Sequence, residues 1–333
     1  MKKYFFLVFI TLSLTACRKE KDTYEGVSIQ ELYSDFLLLD NFKVDKDSVD
    51  FANGENATFS AKFNKPVNWT ITITGQTSKA RKIITGQSKT IDISNGKWNG
   101  STTDFPMFTK EHCVALLKIE NVVDSFTVST NIKTLKVNPG FVIADFENGF
   151  NPAWTKFVQS GANMDFNIKS DSLCPQGAKY LKMAGTVNWD YLIGLIDFPA
   201  TAYGTAKTFP LNTNPDNVYF NCLIYGVPNT NESIILFQFK EDEDGNGTYN
   251  NATTDDQYDY QITVNWSGWK LISIKYSDLV SLSNGQPTTP HGNSIHNPNK
   301  LAKISMLHLA NPSNGFASSK LDYIIFTDAP LEP

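Results

Sequence analysis

Acidic side chains at short, regular spacings are the first groups in this sequence whose pattern suggests chemistry. Asp242-Glu243-Asp244-Gly245-Asn246-Gly247 places oxygen donors at the first, third and fifth positions and a glycine at the sixth, the opening half of a calcium loop. The twelfth position is Thr253, where a bidentate glutamate is wanted, so the segment reads either as an acidic hairpin tip or as a weak calcium site. Asp145 and Glu147 lie two residues apart, which on a strand puts them on one face. Nucleophilic catalysis has no comparable pattern. There is no Gly-x-Ser-x-Gly, phosphate loop, Gly-x-Gly-x-x-Gly or His-Glu-x-x-His, and His112, His291, His296 and His308 are scattered. A glycosidase needs two carboxylates facing each other across a cleft, a pair that the 34 acidic residues permit without pointing to it. Aromatic residues on polar loops offer a different chemistry, because a ring stacks on the apolar face of a sugar while neighbouring polar groups take its hydroxyls. Trp189 and Tyr191, in Val-Asn-Trp-Asp-Tyr, and Trp266, beside Ser267-Gly268, are the candidates for such a carbohydrate-binding platform, with simple packing as the competing reading of each. Trp269 is assigned to a core by the alternation of its strand.

The elements that must position these residues read as strands. Aromatics make up 13% of the chain, and Thr, Asn and Ser crowd the segments between apolar runs, a composition of strands joined by polar turns. In residues 40–137 the runs are 57–63, 67–74, 79–85, 90–94, 114–120 and 126–132, separated by Asn53-Gly54, Asn64-Lys65-Pro66, Gly75, Gly86 and Asn95-Gly96. Asn138-Pro139-Gly140 marks a boundary, and residues 138–333 carry a second set at 141–147, 179–184, 218–225, 233–240, 257–264, 269–276, 303–309 and 321–327. Within 257–264, Tyr258, Tyr260, Ile262 and Val264 alternate with Gln257, Asp259, Gln261 and Thr263, which predicts one buried face and one polar face. The apolar spacing of 29–39 predicts a short helix.

The N-terminus decides where the protein lives. Lys2 and Lys3 precede a short apolar run, Tyr4 to Leu14, which is a secretory signal pattern too short to span a bilayer. Leu14-Thr15-Ala16-Cys17 then resembles the lipobox of bacterial lipoproteins. The resemblance implies removal of residues 1–16, acylation of Cys17 and attachment to the membrane through several acyl chains, with 17–39 holding anchor and linker. The formal charge of -5 becomes -7 once Lys2 and Lys3 are removed, and no long basic stretch remains, which argues against nucleic acid as a partner. Cys113, Cys174 and Cys222 are then an odd set allowing at most one disulfide, with Cys113 and Cys222 read as buried thiols.

Two further resemblances follow from the strand runs. Val67-Asn68-Trp69-Thr70-Ile71-Thr72-Ile73-Thr74-Gly75, Lys97-Trp98-Asn99-Gly100 and Cys113 to Leu117 are similar to bacterial immunoglobulin-like modules, with Trp98 as a packed corner residue. Asp145-Phe146-Glu147, Trp266-Ser267-Gly268-Trp269-Lys270-Leu271-Ile272-Ser273-Ile274 and Leu321-Asp322-Tyr323-Ile324-Ile325-Phe326 resemble the carbohydrate-binding-module and galactose-binding-like β-jelly rolls. These imply an all-β protein, an immunoglobulin-like β-sandwich followed by a jelly roll. They also imply a structural calcium held by Asp145, Glu147 and Asp322. The function expected is non-enzymatic: a lipid-anchored protein of the outer membrane or cell surface that binds a polysaccharide or oligosaccharide, with a glycan-uptake complex as a candidate partner. An adhesion lipoprotein that binds another protein is the alternative, and a glycoside hydrolase is third.

Overall fold

A computed structural model of the chain describes residues 35–172, 174–188, 191–227, 233–247, 249–250, 254–310 and 315–333. Cys17, Trp189 and most of the segment expected to be helical lie outside the described residues. The end of that segment corrects the helix expectation, because Leu38 and Leu39 open a strand whose partner, Phe63, supplies the apolar surface that the spacing was seeking.

The first unit holds seven strands: β1 (Leu38–Val44), β2 (Ser48–Asp50), β3 (Ala57–Gly75), β4 (Arg81–Ile91), β5 (Lys97–Trp98), β6 (His112–Ile119) and β7 (Ser125–Thr134). The sequence divides β3 into two strands at Asn64-Lys65-Pro66, but the structure runs straight through as one strand of 19 residues. Its pairing with β4 jumps from Lys62↔Thr90 to Val67↔Ser88, so Pro66, which has no N–H to donate, sits at an irregularity where none is needed. Because β3 carries both halves, the strands form one hydrogen-bonded set, β1-β3-β6-β7-β2, with β4 and β5 also on β3. Alternate residues of β3 fill the core, with Phe59, Phe63, Trp69, Ile71 and Ile73 all buried. Trp98 packs edge-on between Phe51 and Phe108, each 4.9 Å away, and donates its indole N–H to Ser101 O at 2.9 Å, as a corner residue should. Gly86 lies against the Trp69 indole so closely that a Cβ would come within 2.4 Å of the ring.

The second unit is a two-sheet sandwich. One sheet has the order β10 (Asn163–Lys169), β11 (Tyr180–Val187), β20 (Gly315–Thr327), β13 (Tyr219–Gly226), β16 (Gly268–Lys275), with β8 (Phe141–Ala144) also on β20. The other runs β15 (Gln257–Val264), β14 (Ser233–Glu241), β19 (Leu301–Ala310), β12 (Leu192–Pro199), β9 (Thr155–Val158), and β17 (Leu282–Ser283) pairs with β18 (Gln286–Pro287) alone. Between the sheets Phe220 meets Phe237, Phe239 and Phe326 at 4.8, 5.0 and 5.6 Å. Sequence reading missed β9, β10 and β12. All four residues of β9 are exposed, and β10 interleaves Asn and Asp with its apolar residues, so neither has the continuous apolar run of a core strand.

No strand pairing among the described residues joins the two units; loops do. Thr102 N–H donates to Pro333 O at 2.6 Å and Met107 N–H to Pro175 O at 2.7 Å. Phe105 packs with Leu223, Tyr323, Ile325 and Trp269. This corrects the assignment of Trp269 to the core: alternation groups it with Leu271 on the outer face of its sheet. There it makes edge contacts with Tyr180 and Tyr225 at 5.8 and 5.3 Å. Cys113 and Cys222 are buried free thiols and Cys174 is a half-buried one.

Candidate functional site

The outer face of the five-stranded sheet is built by register. Strands β15, β14, β19, β12 and β9 align Asp259, Gln238, Ser305, Asp197 and Thr155 in one row. Two residues along each strand, hence on the same face, they align Gln261, Leu236, Leu307, Leu195 and Phe157. Four strand spacings make each row about 19 Å long. A polar row therefore lies directly beside a mostly apolar one, with the next row beginning Gln257, Lys240, Lys303.

The polar row of this face is partly covered, whereas Gln261 and Phe157 of the apolar row are exposed. Ser305 and Asp259 are 0% and 1% exposed although they point away from the sandwich core. The wall along β15 is the segment entering β17, where Asp259 and Val280 exchange backbone hydrogen bonds of 2.6 and 3.3 Å. Tyr249, from the loop between β14 and β15, brings its ring to 5.6 Å from the Lys240 ammonium and its hydroxyl to 3.2 Å from Gln257 Oε1. On the polar side of β15, Asp259 is covered: its carboxylate accepts from Leu282 N–H at 2.8 Å and from Gln257 Nε2 at 2.9 Å.

The polar row is a connected network. Lys240 Nζ donates to Ser305 Oγ at 2.7 Å, Ser305 Oγ donates to Asp197 Oδ1 at 2.5 Å, and Lys303 Nζ lies 3.4 Å from Asp197 Oδ2. Burial lowers the Lys240 ammonium from 10.5 to about 8, with the Lys303 charge adding to the effect. Burial likewise raises the Asp259 carboxyl to about 6, against the pull of its Leu282 and Gln257 hydrogen bonds. Donors and acceptors of both charges beside a row of leucines match a ligand with hydroxyl edges and apolar faces.

The sequence-selected residues fall elsewhere. Tyr191 is 43% exposed at the end of the sandwich where β12 begins, and its carbonyl accepts from Ala310 N–H at 2.8 Å. Trp266 lies at the same end, but it is half-buried against the main core and directs its indole N–H to Ile224 O at 3.4 Å, with the Lys270 ammonium 4.9 Å above the ring. Trp189 lies outside the described residues. The row residues went unnoticed because polar and apolar side chains from five separate strands become neighbours only through register. Tyr249 lies inside an insertion, residues 241–256, whose composition is dominated by acids and amides.

Asp145 and Glu147 lie near enough to Asp322 for their charges to act on it, though they reach it by a different route from strand alternation. β8 ends at Ala144 and Phe146 takes φ +56°, so the two acids leave the strand through a left-handed turn around a buried ring. Asp322 is 0% exposed; its Oδ1 accepts from Tyr323 N–H at 2.8 Å and its Oδ2 has no partner. Burial, with Glu147 and Asp145 nearby, raises its carboxyl to about 9. Glu147 Oε1 accepts from Ala178 and Lys179 N–H, both at 2.8 Å, where Gly177 at φ +60° leaves it room. Gln176 Oε1 is a second buried oxygen without a partner. These are hard oxygen donors of the kind calcium takes. Among the described residues, however, the sets that bring three carboxylates within 4.8 Å of one another are Glu241, Glu243, Asp256 and Asp242, Asp244, Asp255.

No protein-family model and no curated protein matches this chain. Similar solved structures include a carbohydrate-binding-module structure described as of the β-sandwich superfamily, at 10% identity and TM-score 0.40, covering 88% of this chain and 98% of that one. The family 11 carbohydrate-binding module from Clostridium thermocellum is 18% identical with TM-score 0.38, over 58% and 97% of the two chains. A surface glycan-binding protein from Prevotella bryantii is 13% identical with TM-score 0.40, over 87% and 77%. At such identities and scores the likeness carries no argument about what this chain binds.

Proposed function

We propose that this chain is a lipid-anchored cell-envelope protein that binds glycan non-catalytically through its C-terminal sandwich. The observation that carries the reading is the sheet face on which a polar row and an apolar row run side by side for about 19 Å. Ser305, Asp197, Gln238 and Lys240 would take sugar hydroxyls, Leu236, Leu307 and Leu195 would cover ring faces, and Tyr249 would stack over the chain. Hydrolysis suits this face poorly: Asp197 and Asp259 stand three strand spacings, about 14 Å, apart, wider than the roughly 5–9.5 Å that glycosidase pairs use.

Cys17 would carry the acyl chains, and the first unit, read as an immunoglobulin-like module, would hold the sandwich away from the outer membrane or cell surface, within a glycan-uptake complex. Asp145, Glu147 and Asp322, with Gln176 Oε1, would hold a structural calcium, a reading supported by the two buried oxygens that lack partners. Tyr191 would form part of a rim at the end of the sandwich, while Trp266 serves packing. The test is binding of a polysaccharide panel by the full chain, using affinity gels, beside Leu307→Asp. The expected outcome is retardation on at least one glycan, lost in the variant; retardation equal in both, or none on any glycan, rejects the face.

A further inference from the structure

The loop between β14 and β15 assembles a carboxylate set that the sheet face does not use. Asp242, Asp244 and Asp255 each bring a carboxylate oxygen within 4.8 Å of the others. Asp242 is 2% exposed; its Oδ2 accepts from Gly247 N–H at 2.7 Å, while its Oδ1, shut off from solvent, receives no hydrogen bond. Asp255 is 1% exposed and is aimed by two backbone donors, Glu243 N–H at 2.9 Å and Asn250 N–H at 2.6 Å. Asp244 is exposed and accepts from Asn246 N–H at 3.0 Å and from its side-chain amide at 2.7 Å.

The interleaved set, Glu241, Glu243 and Asp256, is met by a cation and several donors, although Glu241 Oε2 is likewise buried without a hydrogen-bond partner. Lys300 lies 2.7 Å from Glu243, Asn297 and Asn293 donate to the same carboxylate, and Gly292 and Ser294 N–H occupy both oxygens of Asp256. Glu241 Oε1 receives the Tyr276 hydroxyl at 2.8 Å and the Asn297 N–H at 2.9 Å. No ion pair among the described residues includes Asp242, Asp244 or Asp255. A buried carboxylate oxygen with neither proton donor nor cation is costly, and a bound cation removes that cost.

We propose that Asp242, Asp244 and Asp255 bind a divalent cation, calcium by the chemistry of an all-oxygen donor set. Asp255 takes the part that the loop pattern assigns to residue 253: the sequence motif opens as a calcium loop and is completed two residues later than the pattern asks. The site stands independently of what the sheet face binds.

The experiment is calcium titration of the chelator-stripped full chain by calorimetry, with the number of ions bound per chain as the readout. Asp244→Ala removes an exposed ligand and leaves the fold intact, and it should lose one bound ion or bind it at least tenfold more weakly. Asp242→Asn should do the same, and if it fails to fold, Asp244→Ala decides. Asp322→Asn, which alters the other proposed calcium site, should keep this ion. A stripped wild-type chain that takes up no calcium, or an Asp244→Ala chain with wild-type stoichiometry and affinity, overturns the assignment.

Discussion

Lys240→Met isolates the electrostatics of the five-stranded sheet's outer face. The Lys240 ammonium sits among Ser305, Asp197, Asp259, Lys303 and the Tyr249 ring, and burial lowers it from 10.5 to about 8. A drop of that size corresponds to about 3 kcal/mol by which the folded state disfavours the charged form. For a base whose folded value lies below its unfolded one, the unfolded chain binds the extra proton between pH 8 and 10.5, so this contribution makes stability rise with pH across that window. At pH 7 the variant escapes the buried charge but loses the hydrogen bond to Ser305, worth about 1.5–3 kcal/mol for a charged donor, so the two effects nearly cancel. The prediction is therefore a difference: relative to Lys240→Met, the wild type gains about 3 kcal/mol between pH 7 and 10.5. Urea unfolding of both proteins at the two pH values measures it. Parallel pH profiles, or a variant that loses several kcal/mol at pH 7, would refute the claim that the buried Lys240 charge and its hydrogen bond to Ser305 nearly cancel.

Other predictions rest on separate observations. His308 is 0% exposed between the sheets, and burial lowers its imidazole to about 4, so the unfolded chain takes up the proton first; wild type should lose about 2 kcal/mol between pH 6.5 and 5, and His308→Gln should not, as thermal melts at both values would show. Asp322 has the opposite sign: an acid raised to about 9 contributes stability at low pH that is lost as pH rises above its unfolded value near 4. In chelator, stability should fall over that range relative to Asp322→Asn; added calcium should flatten the slope, and identical curves with and without calcium would remove the ion from that site. Phe220→Ala, at the meeting point of Phe237, Phe239 and Phe326, should cost about 3–5 kcal/mol in denaturant melts.

The sequence made the strands legible where burial is one-sided or continuous, as in β15 and β14, because period-two alternation records which face is covered. It missed β9 and the bulge within β3, since an exposed edge strand and an irregularity both look like turns when only composition is read. Grouping Asp145, Glu147 and Asp322 rests on resemblance, and alternation does not describe the first two: Phe146 abandons the strand geometry on which alternation depends. Row residues such as Ser305 and Asp197 carry no local signal, because their meaning lies in the pairing of β19 with β12. Trp269 shows the limit most plainly. Alternation assigns it to a face and cannot say whether that face covers the sandwich core or meets the neighbouring unit.

The most direct test of the glycan-binding face measures affinity and melting temperature together on Tyr249→Ala and Trp266→Ala, using a glycan retained by the wild-type chain. The account predicts that Tyr249→Ala weakens binding by about 1–3 kcal/mol, the scale of losing one binding aromatic, with an unchanged melting temperature. Trp266→Ala should instead lower the melting temperature and leave affinity intact, because its indole packs on the core. Undiminished affinity in Tyr249→Ala together with lost affinity in Trp266→Ala would contradict the account, moving the site from the sheet face to the loops at the end of the sandwich.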